Sequence, residues 1–103
     1  MIKVSVMYPN SLDTNFDIDY YCNVHMPMAK ELLGTSVKGI NVDYGLAGGG
    51  PDEIAPLIAI GYLLFDSVDS FQTAFAPHAD KIMADIPNFT NSQPKIQISE
   101  VKL

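Results

Sequence analysis

Residues 57–65 read LIAIGYLLF, and this short segment decides the fold. Successive side chains of a β-strand point to opposite faces of the sheet, and here both alternating sets are apolar. A strand with one face in water does not need a second apolar face. We therefore expect 57–65 to be either a central strand covered on both sides or a strand whose second face meets another protein copy.

The segments on either side of 57–65 complete one α+β pattern. Alternating apolar residues predict further strands over 2–8, 37–46 and 95–103, and helical spacing predicts helices over 18–33 and from 68 to Pro87. With right-handed crossovers, the order β-α-β-β-α-β gives a ferredoxin-like fold, a four-stranded antiparallel sheet with both helices on one face. We expect one domain over 1–103, and its bare sheet face makes a homodimer the natural solution.

The first helix has clear boundaries and one disturbance. Asp17 is expected to cap its N-terminus and Gly34 to end it in a left-handed conformation. The buried stripe calculated for an ideal helix carries His25, whereas Met26 falls towards solvent. Pro27 has no amide hydrogen to donate to the carbonyl of residue 23, so a kink is expected there.

Composition restricts the class of protein. A formal charge of −6, with no cluster of lysines, makes nucleic acid an unfavourable partner. The single cysteine excludes an internal disulfide, and the sequence shows neither a signal peptide nor an apolar run long enough for a membrane span. We expect a cytoplasmic protein with no nucleic-acid or membrane partner.

His25 is the first candidate for chemistry because an imidazole on a buried helix face can move a proton beside an apolar pocket. From helix geometry alone, a core histidine that only satisfies a hydrogen bond is the more common case. Tyr21, one turn before His25, is the candidate helper. The residues expected to line a ligand pocket with them are aromatic or flexible apolar side chains, namely Tyr8, Tyr44, Tyr62, Met28 and Phe71.

Other candidate sites are weaker. His78, beside Pro77, is expected to be exposed, and whether it contributes stays open. No pattern of histidines and cysteines matches a zinc site, so we expect no metal or cofactor. Cys22 is interpreted as a small core residue. The glycine-rich run 45–50 does not precede a helix, so it lacks the amides that bind phosphate.

Three segments resemble the EthD family, named for a bacterial gene cluster for ethyl tert-butyl ether degradation. They are MIKVSVMYP at 1–9, FDIDYYCNVHMP at 16–27 and ADIPNFTNSQPKIQISEV at 84–101, of which HMP and DIPNFTN are the most specific. The resemblance implies a homodimer of the dimeric α+β barrel superfamily, and His25 corresponds to the histidine of the HMP motif. The absence of tryptophan argues against the haem-degrading branch of that superfamily.

The sequence leaves three functional hypotheses. In the first, His25 acts as general acid or base on a small apolar or aromatic oxygenated metabolite, in dehydratase-, cyclase- or decarboxylase-like chemistry. In the second, the protein is a non-catalytic ligand-binding accessory of a degradation pathway. In the third, it is a cofactor-free oxidoreductase of the monooxygenase kind. The sequence identifies neither the substrate nor the reaction.

Overall fold

The computed structural model describes all residues from 1 to 103. Its strands are β1 (Ile2–Pro9), β2 (Gly39–Tyr44), β3 (Leu57–Phe65) and β4 (Lys95–Glu100). They form one antiparallel sheet in the order β2-β3-β1-β4, so β1 and β3 are central and β2 and β4 are edges. The predicted βαββαβ, ferredoxin-like α+β fold is confirmed.

The first helical region spans 18–33 and consists of three parts. α1 (Ile18–Tyr20) continues into a π-helical turn (Tyr21–His25) and then into α2 (Met26–Leu33). The Asp17 side chain accepts a hydrogen bond from the amide of Tyr20 at 3.1 Å, and Gly34 ends α2 with φ of 66°. Both predicted boundaries are confirmed, because a carboxylate cap and a left-handed glycine satisfy the unpaired groups at helix ends.

A disturbance of the helix is present next to Pro27. The amide of Met26 bonds to the carbonyl of Tyr21, five residues back, so a π-helical turn with one extra residue lies immediately before the proline. The extra residue brings Met26 into the core, where it is 5% exposed, and the expectation that Met26 faces solvent is wrong. Cys22 is exposed, so its interpretation as a small core residue is wrong.

The second helical region is divided as its prolines predict. Ser67 caps α3 (Val68–Phe75) by accepting from the amide of Ser70, a 3₁₀ turn (Ala76–His78) follows, and α4 (Ala79–Ala84) continues to a last turn (Ile86–Asn88). The core lies between the helices and the sheet face that carries Val4, Tyr8 and Leu63. The opposite face carries Ile60, Tyr62 and Leu64, which are all half-buried.

Candidate functional site

His25 is held at the boundary between the core and a polar cluster. Its ring is 4% exposed, and Nδ1 lies 2.9 Å from Oδ2 of Asp85. The π-helical turn ends at His25, so the imidazole is fixed by backbone geometry as well as by this contact. The ring of Tyr21 stacks on it at 5.4 Å between centroids with a 13° angle, and the ring of Phe89 lies 4.7 Å away.

Asp85 is a carboxylate with three donors. Besides His25, the hydroxyl of Tyr20 donates to Oδ1 at 2.8 Å and the side-chain amide of Asn88 donates to the same oxygen at 2.9 Å. Partial burial alone would raise the pKa of Asp85, but the hydrogen bonds from Asn88, His25 and Tyr20 together lower it. The group is therefore ionised at neutral pH and acts only as an acceptor.

This charge state assigns the two nitrogens of His25. An ionised Asp85 needs a donor at Nδ1, so a neutral imidazole carries its hydrogen there and keeps the lone pair of Nε2 available. No protein group hydrogen-bonds to Nε2, and no buried side-chain nitrogen or oxygen is without a partner, so Nε2 borders open space. A carboxylate behind an imidazole orients the ring and stabilises its protonated form.

The segment that carries Asp85 is tied to the start of the first helix. Phe16 and Thr90 form an isolated β-bridge, and the amide of Asp17 donates to the carbonyl of Phe89 at 2.8 Å. The Thr90 hydroxyl donates to the carbonyl of Asn15 at 2.6 Å. These contacts bring His25 and Asp85 together although 60 positions separate them in the chain.

A narrow cavity lies beside His25, between the helices and the sheet. Fourteen of its fifteen lining residues are hydrophobic, so His25 is the one basic side chain in an otherwise apolar lining. The space available to the centre of a water-sized sphere is about 40 Å³, more than one water molecule needs, so the cavity can admit a small organic molecule. Met83 and Ile96 belong to the lining and are 40% and 47% exposed, so the mouth lies between α4 and the edge strand β4.

Two buried tyrosines line this cavity together with His25. Tyr8 and Tyr21 are each 1% exposed and line the cavity, and their hydroxyls are neighbours. Burial raises the pKa of Tyr8 to about 12, although the nearby Tyr21 hydroxyl acts in the opposite direction. Burial and the proximity of Tyr8 raise the pKa of Tyr21 further. Both groups are therefore neutral hydrogen-bond donors, not bases.

The predicted pocket residues divide into two groups. His25, Tyr21, Tyr8 and Phe71 line the cavity together. Met28 lines a shallow groove on the outer side of the helices, next to Asp85. Tyr44 is 45% exposed on edge strand β2, with its ring 6.4 Å from that of Phe16.

Tyr62 is on the opposite face of the sheet, where the ammonium of Lys3 lies 5.1 Å above its ring. Both faces of β3 are apolar, so the sequence does not indicate which of them the helices cover.

His78 is half-buried at the start of α4 and hydrogen-bonds to no other side chain. No three metal-binding side chains come together in the structure.

Sequence reasoning missed Asp85, Tyr20 and Asn88. Asp85 and Asn88 belong to the DIPNFTN segment, whose similarity to a family motif was the one available signal. Nothing local distinguishes Asp85 from a residue that ends a helix, because its role depends on a partner in another element.

Comparison with known proteins gives a consistent result. The model of the EthD domain matches residues 10–93. An EthD-like protein from Ralstonia eutropha has 40% identity and a TM-score of 0.95, with 99% of this chain and 92% of that chain covered. An ethyl tert-butyl ether degradation (EthD) family protein from Bacillus halodurans has 18% identity and a TM-score of 0.74 over 99% of both chains.

A more distant similarity concerns the fold alone. A Bacteroides fragilis protein described as dimeric, of unknown function and ferredoxin-like fold, has 16% identity and a TM-score of 0.52, over 97% of this chain and 95% of that one. No curated protein matches the sequence. None of the helices combines the length and the apolar character that crossing a membrane requires.

Proposed function

The chain belongs to the EthD family, and from that premise we propose that it binds a small apolar or aromatic oxygenated molecule on which His25 acts as general acid or base. The observation that carries this proposal is the position of His25, whose Nδ1 is 2.9 Å from ionised Asp85 and whose ring lines an apolar cavity. A positioned imidazole accelerates proton transfer by about 10²- to 10⁴-fold.

The polar cluster behind His25 supports a proton-transfer role. When Nε2 takes a proton, the imidazolium lies against a carboxylate that also accepts from Tyr20 and Asn88. The negative charge stabilises the protonated ring, and the surrounding apolar lining excludes competing water. Dehydration, cyclisation and decarboxylation all need a proton taken from or given to carbon or oxygen, so the site suits any of these reaction classes.

A homodimer is part of the proposal. The face of β3 away from the helices carries Ile60, Tyr62 and Leu64, which are only half-buried in one chain. A second copy packed on this face would remove those side chains from water, at about 25 cal/mol for each Å² of apolar surface covered. The measurement is the mass in solution at micromolar concentration, where a monomer would contradict the dimer without affecting the chemistry proposed for His25.

General-base activity can be tested without the natural substrate by using 1,2-benzisoxazole. A base removes the ring C–H proton, the C–H electron pair completes a nitrile, and the N–O bond breaks to release a phenolate that absorbs light. We expect measurable ring opening by the protein and a loss of about 100-fold or more in His25→Ala. Equal rates in His25→Ala and the unaltered protein would contradict a general-base role.

Asp85 is proposed as a positioning residue, which Asp85→Asn tests. The uncharged asparagine amide does not stabilise a protonated imidazole as the carboxylate does, so the rate of benzisoxazole ring opening should fall by about 10- to 100-fold. The dependence of this rate on pH should shift as well. Asp80→Asn is the matched control, because Asp80 is exposed and has no side-chain partner. A reduced rate with an unchanged pH profile would indicate that Asp85 has a structural role alone.

A second candidate function is binding without turnover, as an accessory protein. The observation that favours it is the almost wholly apolar lining, which can retain a ligand through burial alone. In that case benzisoxazole would bind, seen as line broadening of its NMR signals, and its ring opening would not depend on His25.

A further inference from the structure

We propose, building on the general-base function of His25, that the cavity takes a neutral, enolisable ketone. Its carbonyl oxygen would accept a hydrogen bond from the Tyr8–Tyr21 hydroxyl pair, and its α-carbon would lie at Nε2 of His25.

The tyrosine pair has one hydrogen more than the protein can use. Each phenol offers one donor hydrogen, and of the tyrosines near His25 only Tyr20 has a hydroxyl that bonds to another residue, so the neighbouring hydroxyls of Tyr8 and Tyr21 can serve at most each other. When one donates to the other, the hydrogen of the second has no acceptor in the protein. A buried donor without a partner costs about 1–3 kcal/mol, which a ligand oxygen recovers. The pair therefore selects a molecule that presents an acceptor.

The remaining polar atom of the cavity has the opposite character. With its hydrogen on Nδ1, His25 offers a lone pair at Nε2. The polar surface of the cavity is thus a donor at the tyrosine pair and a base at the imidazole, in a free volume of about 40 Å³. In the proposed complex a single small ligand would contact both. A carbonyl group next to an acidic C–H bond presents the matching acceptor and proton.

The absence of a cation from the lining makes an anionic ligand unfavourable. Neither lysine nor any other fixed positive charge lines the cavity, and the chain carries a formal charge of −6. Burying a carboxylate there would remove its hydration without compensation. A ketone avoids that cost, since its negative charge develops only when the proton has already moved to His25.

The reaction balances without a further reagent. Nε2 takes the α-proton, the C–H electron pair becomes the carbon–carbon π bond, and the carbonyl π electrons move to oxygen. The enolate oxygen accepts the tyrosine hydrogen bond, which is stronger to an anion than to the ketone and so lowers the barrier. In D₂O the imidazole exchanges its proton with the solvent and returns deuterium to the same carbon.

Deuterium exchange provides the test. Neutral ketones of increasing size, from acetone to 2-tetralone, are incubated with the protein in D₂O, and loss of the α-proton signal is followed by ¹H NMR. We expect accelerated exchange of at least one ketone and a decrease on the order of 100-fold in the Tyr8→Phe/Tyr21→Phe double variant. The matched control is Tyr62→Phe, on the other face of the sheet, which should exchange at the unaltered rate.

The outcomes separate this proposal from the general-base function. The ketone assignment would be overturned if the protein accelerated the α-proton exchange of no ketone, or if exchange were unchanged in the double variant. It would also be overturned if the anion 2-naphthoate competed for the cavity as well as a neutral ketone does. If benzisoxazole opening still depends on His25 in that case, the general-base function stands alone. Thermal unfolding verifies that the double variant is folded. If it is not, the single Tyr8→Phe and Tyr21→Phe variants decide, and exchange must fall in at least one of them.

Discussion

The hydroxyl of Tyr21 lies directly against the α-carbon of Gly61, so close that a Cβ at position 61 would overlap it. Gly61 is in the middle of central strand β3, paired with Val6 on one side and Val42 on the other. The strand cannot move away from the first helical region without losing these pairs. The absence of a side chain at Gly61 thus sets the depth at which Tyr21 enters the cavity.

Gly61→Ala should therefore lower the free energy of unfolding by about 1–3 kcal/mol, since the added methyl group overpacks the core and displaces Tyr21. Urea denaturation gives the change. Gly49→Ala is the control, because a Cβ there meets nothing within 4 Å, and its effect should stay within about 0.5 kcal/mol. Equal effects in the two variants would contradict the close approach.

The π-helical turn predicts which of two neighbouring apolar residues stabilises the fold. Met26→Ala should cost about 2–5 kcal/mol because Met26 is 5% exposed. Val24→Ala should change the stability little, since Val24 is 46% exposed. Both values come from urea denaturation. The reverse order would indicate a regular α-helix through this region, with Met26 outside.

Asp85 should make the stability depend on pH in the acid range. Its pKa is lowered on folding, so the unfolded chain binds the proton more readily than the folded chain does. The stabilisation is present above the unfolded value, about 3.9 for an aspartate, and is lost as the pH falls through the lower, folded value.

Asp85→Asn should abolish this part of the acid destabilisation, measured as the free energy of unfolding between about pH 2 and 5. Asp80→Asn, an exposed neighbour on α4, should retain it. Parallel stability curves for Asp85→Asn and the unaltered protein would show that the carboxylate contributes nothing to folding.

Thr90→Val should loosen the segment that carries Asp85. The Thr90 hydroxyl donates to the carbonyl of Asn15 in a partly buried setting and accepts from the amide of Ser92 in a buried one. Removing it leaves two backbone groups without partners, at about 1–3 kcal/mol each. Hydrogen exchange should accelerate for the amide of Asp17, which bonds to the carbonyl of Phe89. Exposed Thr73 provides the control, as Thr73→Val should leave that amide unchanged.

Local chemistry made most of the fold predictable. The bounds of β3, the cap at Asp17, the left-handed Gly34 and the division at Pro77 all follow from interactions within a few residues. The place of the disturbance at Pro27 was predicted, but the π-helical turn was not, because its extra residue depends on Met26 packing in the tertiary core.

The candidate site was less predictable for the same physical reason. His25 was identified from its helix face, but its partner Asp85 is 60 positions away and is brought near by contacts of Thr90 and Phe89. Tyr62 was assigned to the pocket as an aromatic side chain of an apolar strand. Periodicity indicates which residues of such a strand share a face but not which face the helices cover.

The extra residue in the π-helical turn has a consequence for comparing related chains. Positions before and after it are out of phase by one residue, or about 100° of rotation around the axis. A relative with an uninterrupted α-helix would align correctly only if a one-residue gap were allowed inside the helix, where alignments usually forbid gaps. Without the gap, either Tyr21 or the residues after His25 would be matched to positions on the wrong side of the helix.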